Sequence, residues 1–260
     1  MLFLNQSFKR WWEFLYTMVE RDLKSRYKNS VLGFLWIILN PIVQMIVIGL
    51  VFQFFTEEKT GEYLLYIYSG LIVWNFFSTS VLRGTSAIVR ERFLLKKTLF
   101  PRETIVLAIV LSNFLQFLIS IFILVLLSVL IGVSSLTILN FLLFPLSLFF
   151  LFFLCSGFTL FFSAINVKYR DTNFGVNFLV SLWFYLTPVI YSLEMLPEKV
   201  RLFFYINPLC GLIDFFRWSF LGTEMKNFGL VLVSFGVAFT VFLFGYRFFI
   251  KHSGGFDDWL

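Results

Sequence analysis

Histidine, cysteine and charge within apolar runs are what this sequence has least of, and each shortage removes a class of chemistry. The one histidine, His252, stands near the end of the chain, so neither a histidine-based metal cluster nor a Ser-His-Asp triad can be assembled. The two cysteines, Cys155 and Cys210, lie in or beside apolar segments without CxxC or Cys/His spacing. They read as small buried hydrophobes. All 15 acidic residues fall outside the middles of the apolar runs. A proton- or sodium-coupled transporter usually carries ionisable groups at the membrane midplane, so that class is disfavoured. A membrane enzyme of glycan assembly, such as an acyltransferase, would need an intramembrane histidine or carboxylate. The alternative, an Asp/Glu pair at the interface, has no candidate with convincing spacing. None of the 15 glycines precedes a lysine, which excludes a GxxxxGK[ST] phosphate loop. A cargo moved by this chain therefore needs a partner to supply the energy, and no cofactor is expected on the chain itself.

What is present is apolar surface. Hydrophobic residues make up 59 % of the 260 and charged residues 14 %, with a mean hydropathy of +0.88. A water-soluble domain of this size would expose far too much of it, so lipid is the solvent for most of the chain. The fold class expected is all-α: a polytopic integral membrane protein with six transmembrane helices. The net charge of +6 is better explained by positive-inside anchoring than by nucleic acid, because the basic residues sit at the ends of apolar runs.

The stretch RDLKSRYKNSVLGFLWIILNP, residues 21–41, sets the orientation. A basic cluster runs directly into an apolar stretch of about 20 residues or more, the length that crosses a bilayer. Before it, Phe8, Trp11, Trp12, Leu15, Val19, Leu23 and Tyr27 recur at helical spacing opposite Arg10, Glu13, Glu20, Arg21 and Lys24. That pattern predicts an amphipathic interface helix, and residues 1–29 form the first unit. MLFLNQSFKRWW has too short an apolar stretch for a signal peptide, so the first span is expected to act as the targeting signal. Residues 30–260 form the transmembrane unit, with spans at about 31–54, 63–82, 104–132, 140–165, 175–191 and 228–250.

Within the first span Asn40, Pro41 and Gln44 suggest a face turned toward protein or water. On the third, Asn113, Gln116 and Ser120 share a face that reads as interhelical packing, as does the stripe Ser234, Ala238, Gly245 on the last. Residues 84–103, GTSAIVRERFLLKKTLFPRE, are too polar to cross and too long for a tight turn. A short helix there, carrying Arg90, Glu91, Arg92, Lys96 and Lys97, is expected to dock on a soluble subunit. Residues 192–226, broken by Pro197, Pro208, Gly211, Asp214, Arg217 and Gly222, read as re-entrant or interfacial helices on the outer side. With both termini in the cytoplasm, Lys59, Lys199, Arg201, Arg217 and Lys226 are the only outer ones among the 21 Lys and Arg. Aromatics reach 22 %. Most face lipid, while Trp36, Trp74, Trp183, Tyr185 and Tyr191 are candidates either for a sugar-stacking track or for interface anchoring.

RDLKSRYKNSVLGFLW with Pro41, SGLIVWNFFS (69–78), KKTLFPRE (96–103), NVKYRD (166–171), LTPVIYSLEMLPE (186–198) and YINPL (205–209) occur in that order between the spans. Over nearly its whole length the chain resembles the transmembrane subunit of ABC-2-type polysaccharide exporters, especially the O-antigen permeases (Wzm-like). The resemblance implies a homodimeric pore in the cytoplasmic (inner) membrane, bound to two ABC ATPase subunits that carry ATP and Mg. The expected cargo is an undecaprenyl-pyrophosphate-linked polysaccharide. It also implies that residues 84–100 are a coupling helix, that 192–222 form outer gate helices and that the first and fifth spans line the channel. Arg21, Arg26, Arg170 and Asp171 would lie near the cytoplasmic entrance, where arginines could hold a lipid pyrophosphate. Sister exporters of teichoic acid and capsule share these motifs, and a drug or lipid exporter of the same class is the alternative cargo reading.

Overall fold

A computed structural model of the chain describes residues 2–28, 32–52, 60–97, 100–132, 138–195, 197, 199, 204, 206–225, 228–256 and 259. Among them every regular element is helical: α1 (Leu2–Tyr27), α2 (Trp36–Phe52), α3 (Thr60–Thr85), α4 (Ala87–Arg90), α5 (Arg92–Lys97), α6 (Glu103–Ile131), α7 (Ile138–Lys168), α8 (Thr172–Tyr185), α9 (Pro208–Leu221) and α10 (Phe228–Ser253), with short 3-10 turns at Gly33–Leu35 and Leu193–Met195.

Helix α3 is the hub. The most apolar stretch of α3 is 72 % buried inside the protein, against 28–29 % for those of α6, α7 and α10. It packs on α2, α6, α7, α8 and α9. Among the described residues, α3, α6, α7 and α10 are each long and apolar enough to cross a membrane. Helices α2 and α8 are shorter, at 17 and 14 residues. At 1.5 Å per residue α8 reaches about 21 Å, less than the roughly 30 Å of a hydrocarbon core. The sequence pattern predicts a span to Tyr191; the helix ends at Tyr185.

Its end has a physical cause. Pro188 has no N–H to continue the ladder, and side chains collect the carbonyls that the helix would have used. Asn207 Nδ2 donates to Leu186 O at 2.9 Å, Tyr63 OH to Ile190 O at 3.3 Å and Tyr66 OH to Tyr191 O at 3.2 Å. Arg217, 1 % exposed, donates from Nη1 to Pro188 O at 2.9 Å and from Nη2 to Val189 O at 2.8 Å. Irregular backbone away from water is stable only when its polar groups are satisfied in this way. Gly70 on α3 makes room for it, because a Cβ there would lie 2.6 Å from both Val189 O and Arg217 Nη2.

Helix α9, expected as a re-entrant or interfacial piece, is held inside the bundle. Asn207 caps it by accepting from Leu209 N at 3.0 Å, Pro208 opens it, and Gly222 closes it at φ +68°. Helices α7 and α10 cross closely. A Cβ on Gly245 would sit 2.1 Å from Gly157 O, and Ser234, Ala238 and Gly245 are buried, so the stripe on the last helix does pack against a neighbour. Beyond α10, Phe256 is buried against Phe249, with ring centroids 5.4 Å apart.

Candidate functional site: the basic end of the bundle and a polar cavity

Helix α1 lies along α6. Leu15, Met18 and Val19 are buried in a cluster with Ile105 and Ile109, while Trp12 and Tyr16 stay exposed. This register carries the charged side of α1 to the end of the bundle where α3 stops and α4–α5 begin. Asp22 is the centre of what forms there. It accepts from Arg26 Nη2 at 3.0 Å, on its own helix. It also accepts from Arg83 Nη2 at 2.7 Å and Nη1 at 3.2 Å, from the last turn of α3. One helical position earlier, Arg21 pairs with Glu91 at 2.5 Å. Arg90 Nη2 donates to Arg83 O at 3.0 Å. Burial, and then the Arg83 charge, push the Arg90 pKa below its ordinary value. Nearby, the hydrogen bond from Lys24 to Glu20 pushes that ammonium's pKa up.

Three guanidinium groups, of Arg21, Arg83 and Arg90, thus share a cavity of about 340 Å³ with the carboxylates of Asp22 and Glu91. An excess of fixed forked donors over carboxylates favours a phosphate-like anion.

A second cavity, of about 390 Å³, lies deeper between α2, α3 and α6. Trp36 and Asn40 border it from α2, Asn75 and Thr79 from α3, and Asn113, Gln116 and Ser120 from α6, with Arg26 at its edge. The two spaces share a wall. Asn113 Oδ1 accepts from Arg26 Nη2 at 2.9 Å and from Arg83 Nη1 at 3.3 Å, while its Nδ2 donates to Ser80 Oγ at 3.2 Å. The amide face of α2 turns inward, Gln44 Nε2 donating to Asn40 Oδ1 at 3.2 Å and Asn75 Nδ2 to Gln44 Oε1 at 3.4 Å.

The sequence-expected residues fall in several places. Arg21 and Arg26 belong to the cluster. Arg170 is exposed on the turn between α7 and α8, with Asp171 beside it, and its side chain makes no ion pair among the described residues. Of the five aromatics, Trp36 borders the polar cavity and is half exposed. Trp74 is buried, 5.7 Å from the Phe77 ring and 5.4 Å from Phe184. Trp183 stands edge-on between Phe77 and Phe158, at 5.2 and 5.3 Å. Within this chain these two rings therefore pack the α3–α7–α8 core. Tyr185 is exposed, and the half-buried Tyr191 donates its hydroxyl to Tyr185 O at 2.8 Å. In the segment expected to dock on a soluble subunit, two short helices replace one, Ile88 and Leu95 are buried, and Arg92 is exposed over the ring of Phe93. The side chains of Lys96 and Lys97 lie outside the described part of the structure.

The sequence pattern of the ABC-2 type transporter family matches residues 13–221. The chain belongs to that family. It is thus an integral membrane protein. Among curated relatives, it is 32 % identical over 208 residues to the O-antigen export system permease protein RfbA of Myxococcus xanthus, covering 79 % of each chain. Two proteins of that name from Klebsiella pneumoniae match at 30 % over 230 residues, 88 % of each chain, and at 29 % over 239 residues, 92 % of each chain. The matched region takes in α1 from Glu13 onward, both cavities and α9. Asp22, Arg83 and Glu91, the residues that tie α1 to the rest of the bundle, do not stand out as a set in the sequence pattern. An acidic residue inside an otherwise basic segment was the available signal.

Proposed function

We propose that this ABC-2 family member is the channel-forming permease subunit of an ATP-driven exporter. It moves an undecaprenyl-pyrophosphate-linked polysaccharide of O-antigen type across the cytoplasmic membrane. The observation that carries the cargo is the shared name of the three relatives, O-antigen export system permease, over 79–92 % of the chain. The chain works as a homodimer with two ABC ATPase subunits, which hold ATP and Mg and carry out the hydrolysis. It sits in the membrane with both termini in the cytoplasm, and the basic end of the bundle faces the ATPase.

The cluster supports a division of labour. Arg21 and Arg26, with Arg170 on the turn between α7 and α8, attract the pyrophosphate, a ligand for forked donors. Residues Ala87–Lys97 (α4 and α5) contact the ATPase, and the exposed Arg92 and Phe93 give that contact a cation and an apolar ring. The Glu91–Arg21 pair then passes a displacement of this segment to α1. Because Arg21 adjoins Asp22, the same displacement reaches Arg83 and the polar cavity.

Depletion of the protein in its own host, with lipid-linked glycan assayed on each side of the cytoplasmic membrane, tests the reading. The expected result is pyrophosphate-linked polymer retained inside and lost from the surface. Unchanged surface glycan would overturn the cargo assignment and point to another ABC-2 substrate.

A further inference from the structure

We propose that the cavity between α2, α3 and α6 is a saccharide-binding subsite within a single protomer, taking an uncharged or weakly acidic sugar unit. The inference rests on the export reading above for its ligand class.

Three observations carry it. First, Asn40, Asn75, Asn113 and Gln116 bring four carboxamides to one space of about 390 Å³, and among the described residues no carboxylate lines it. That volume lies in the range of small-ligand pockets. A carboxamide offers a donor and an acceptor side by side, which matches the paired hydroxyls of a pyranose. Second, the indole of Trp36, half exposed, forms part of the wall, and a flat aromatic face with polar neighbours suits the C–H face of a sugar ring.

Third, hydrogen-bonding capacity is left over. Arg26 Nε is buried with no partner, although Nη2 of the same group is engaged by Asp22 and Asn113. Asn40 Oδ1 and Asn75 Nδ2 are taken by Gln44, while Asn40 Nδ2 and Asn75 Oδ1 have no partner among the described residues. A buried donor without an acceptor is uncommon enough to require a ligand or water.

Position adds a consequence. Asn113 is shared between the cavity and the Arg26–Arg83–Asp22 cluster, so a sugar that competes for Asn113 is felt by the cluster that binds Arg21 and Glu91 through α1. Occupancy of the subsite would then reach the ATPase-facing segment.

The test uses the full transporter, permease with its ATPase, in nanodiscs, titrated with oligosaccharide released by mild acid from the host's own surface glycan. Tryptophan fluorescence is the readout. A saturable change in the wild type that disappears in Trp36→Phe, and whose midpoint rises at least tenfold in Asn40→Leu/Asn75→Leu, is expected. Leucine keeps the volume and suits a membrane helix, and equal recovery of the permease–ATPase complex confirms that the variant is assembled. No saturable change in the wild type, or the same midpoint in the leucine variant, overturns the subsite; the second result assigns the cavity to water. Export is scored separately. Surface glycan that survives depletion removes the export reading, whereas glycan lost on depletion but normal in the leucine variant strikes the subsite alone.

Discussion

Asp22 and Arg83 are 61 residues apart in the chain, and their side chains meet through two hydrogen bonds, of 2.7 and 3.2 Å. That pair joins the N-terminal helix to the central one. It is also more protected than a surface ion pair, since the Asp22 side chain is 16 % exposed and that of Arg83 27 %.

Removing Asp22 takes the carboxylate from two guanidinium groups, which then share only Asn113 Oδ1. A buried charge left without its partner costs about 3–5 kcal/mol, and partial exposure places this case toward the lower end, about 3 kcal/mol. Asp22→Ala is expected to lower the unfolding midpoint of the purified protein clearly, and Arg83→Met less, because Asp22 then keeps Arg26 at 3.0 Å. Thermal unfolding in detergent with both variants checks the order. Equal losses would mean that Arg83 alone carries the interaction.

The Arg21–Glu91 pair calls for a different expectation. Its side chains are 49 % and 29 % exposed, so screening holds its stability to about 0–1 kcal/mol. Its effect belongs to coupling. Glu91→Arg is expected to leave the unfolding midpoint nearly unchanged while lowering ATP hydrolysis by the assembled complex. The double exchange Arg21→Glu/Glu91→Arg restores part of it. Measuring ATPase activity of the wild type and both variants decides this, and a double variant no better than Glu91→Arg would remove the pair from the coupling path.

How far these relationships are legible in the sequence depends on the residue. Helical spacing of apolar residues exposes α1, while α3, α6, α7 and α10 show as long apolar runs, because lipid selects such runs and basic residues mark one end of each. Breaks are harder. Pro188 marks the end of α8 only in combination with Arg217, Tyr63 and Tyr66, which come from distant parts of the chain and capture the freed carbonyls. Arg217 reads in the sequence as an outer-loop charge, and its burial is visible only in three dimensions. The same holds for the site. Asn113, Gln116 and Ser120 share a helical face, which suggests packing; the cavity exists because Asn40 and Asn75 arrive opposite that face from two other helices. Trp74 and Trp183 illustrate the reverse, since residue type cannot separate a ring that lines a channel from one wedged against Phe77.

Arg217 yields a prediction of its own. It donates to Pro188 O, Val189 O, Tyr66 O and Ser69 Oγ, and its guanidinium lies 3.5 Å from the centre of the Tyr66 ring. Lysine keeps the charge without the planar fork. Arg217→Lys is therefore expected to destabilise the protein nearly as much as Arg217→Met, each by about 3 kcal/mol, chiefly by leaving buried carbonyls unpaired. Limited proteolysis of the segment 186–192, together with the unfolding midpoint, measures it. A lysine variant with wild-type resistance would show that charge, and not the fork, holds the segment.

Two glycines on one helix separate close packing from helix propensity. Gly236 and Gly245 both lie within α10, and both are poor helix formers, about 1 kcal/mol worse than alanine in a helix interior. Around Gly236 a Cβ meets nothing within 4 Å, whereas at Gly245 it would lie 2.1 Å from the carbonyl oxygen of Gly157. The obstacle is backbone of a packed neighbour, so it cannot swing aside as a side-chain tip would, and α7 and α10 must separate. Overpacking of this kind costs about 1–3 kcal/mol, and at a contact where the two backbones touch, the upper part of that range applies. Gly236→Ala is accordingly expected to raise the unfolding midpoint slightly and Gly245→Ala to lower it, opposite signs for the same substitution on the same helix. If both variants rise together, the α7–α10 crossing is looser than the close approach of Gly157 and Gly245 implies.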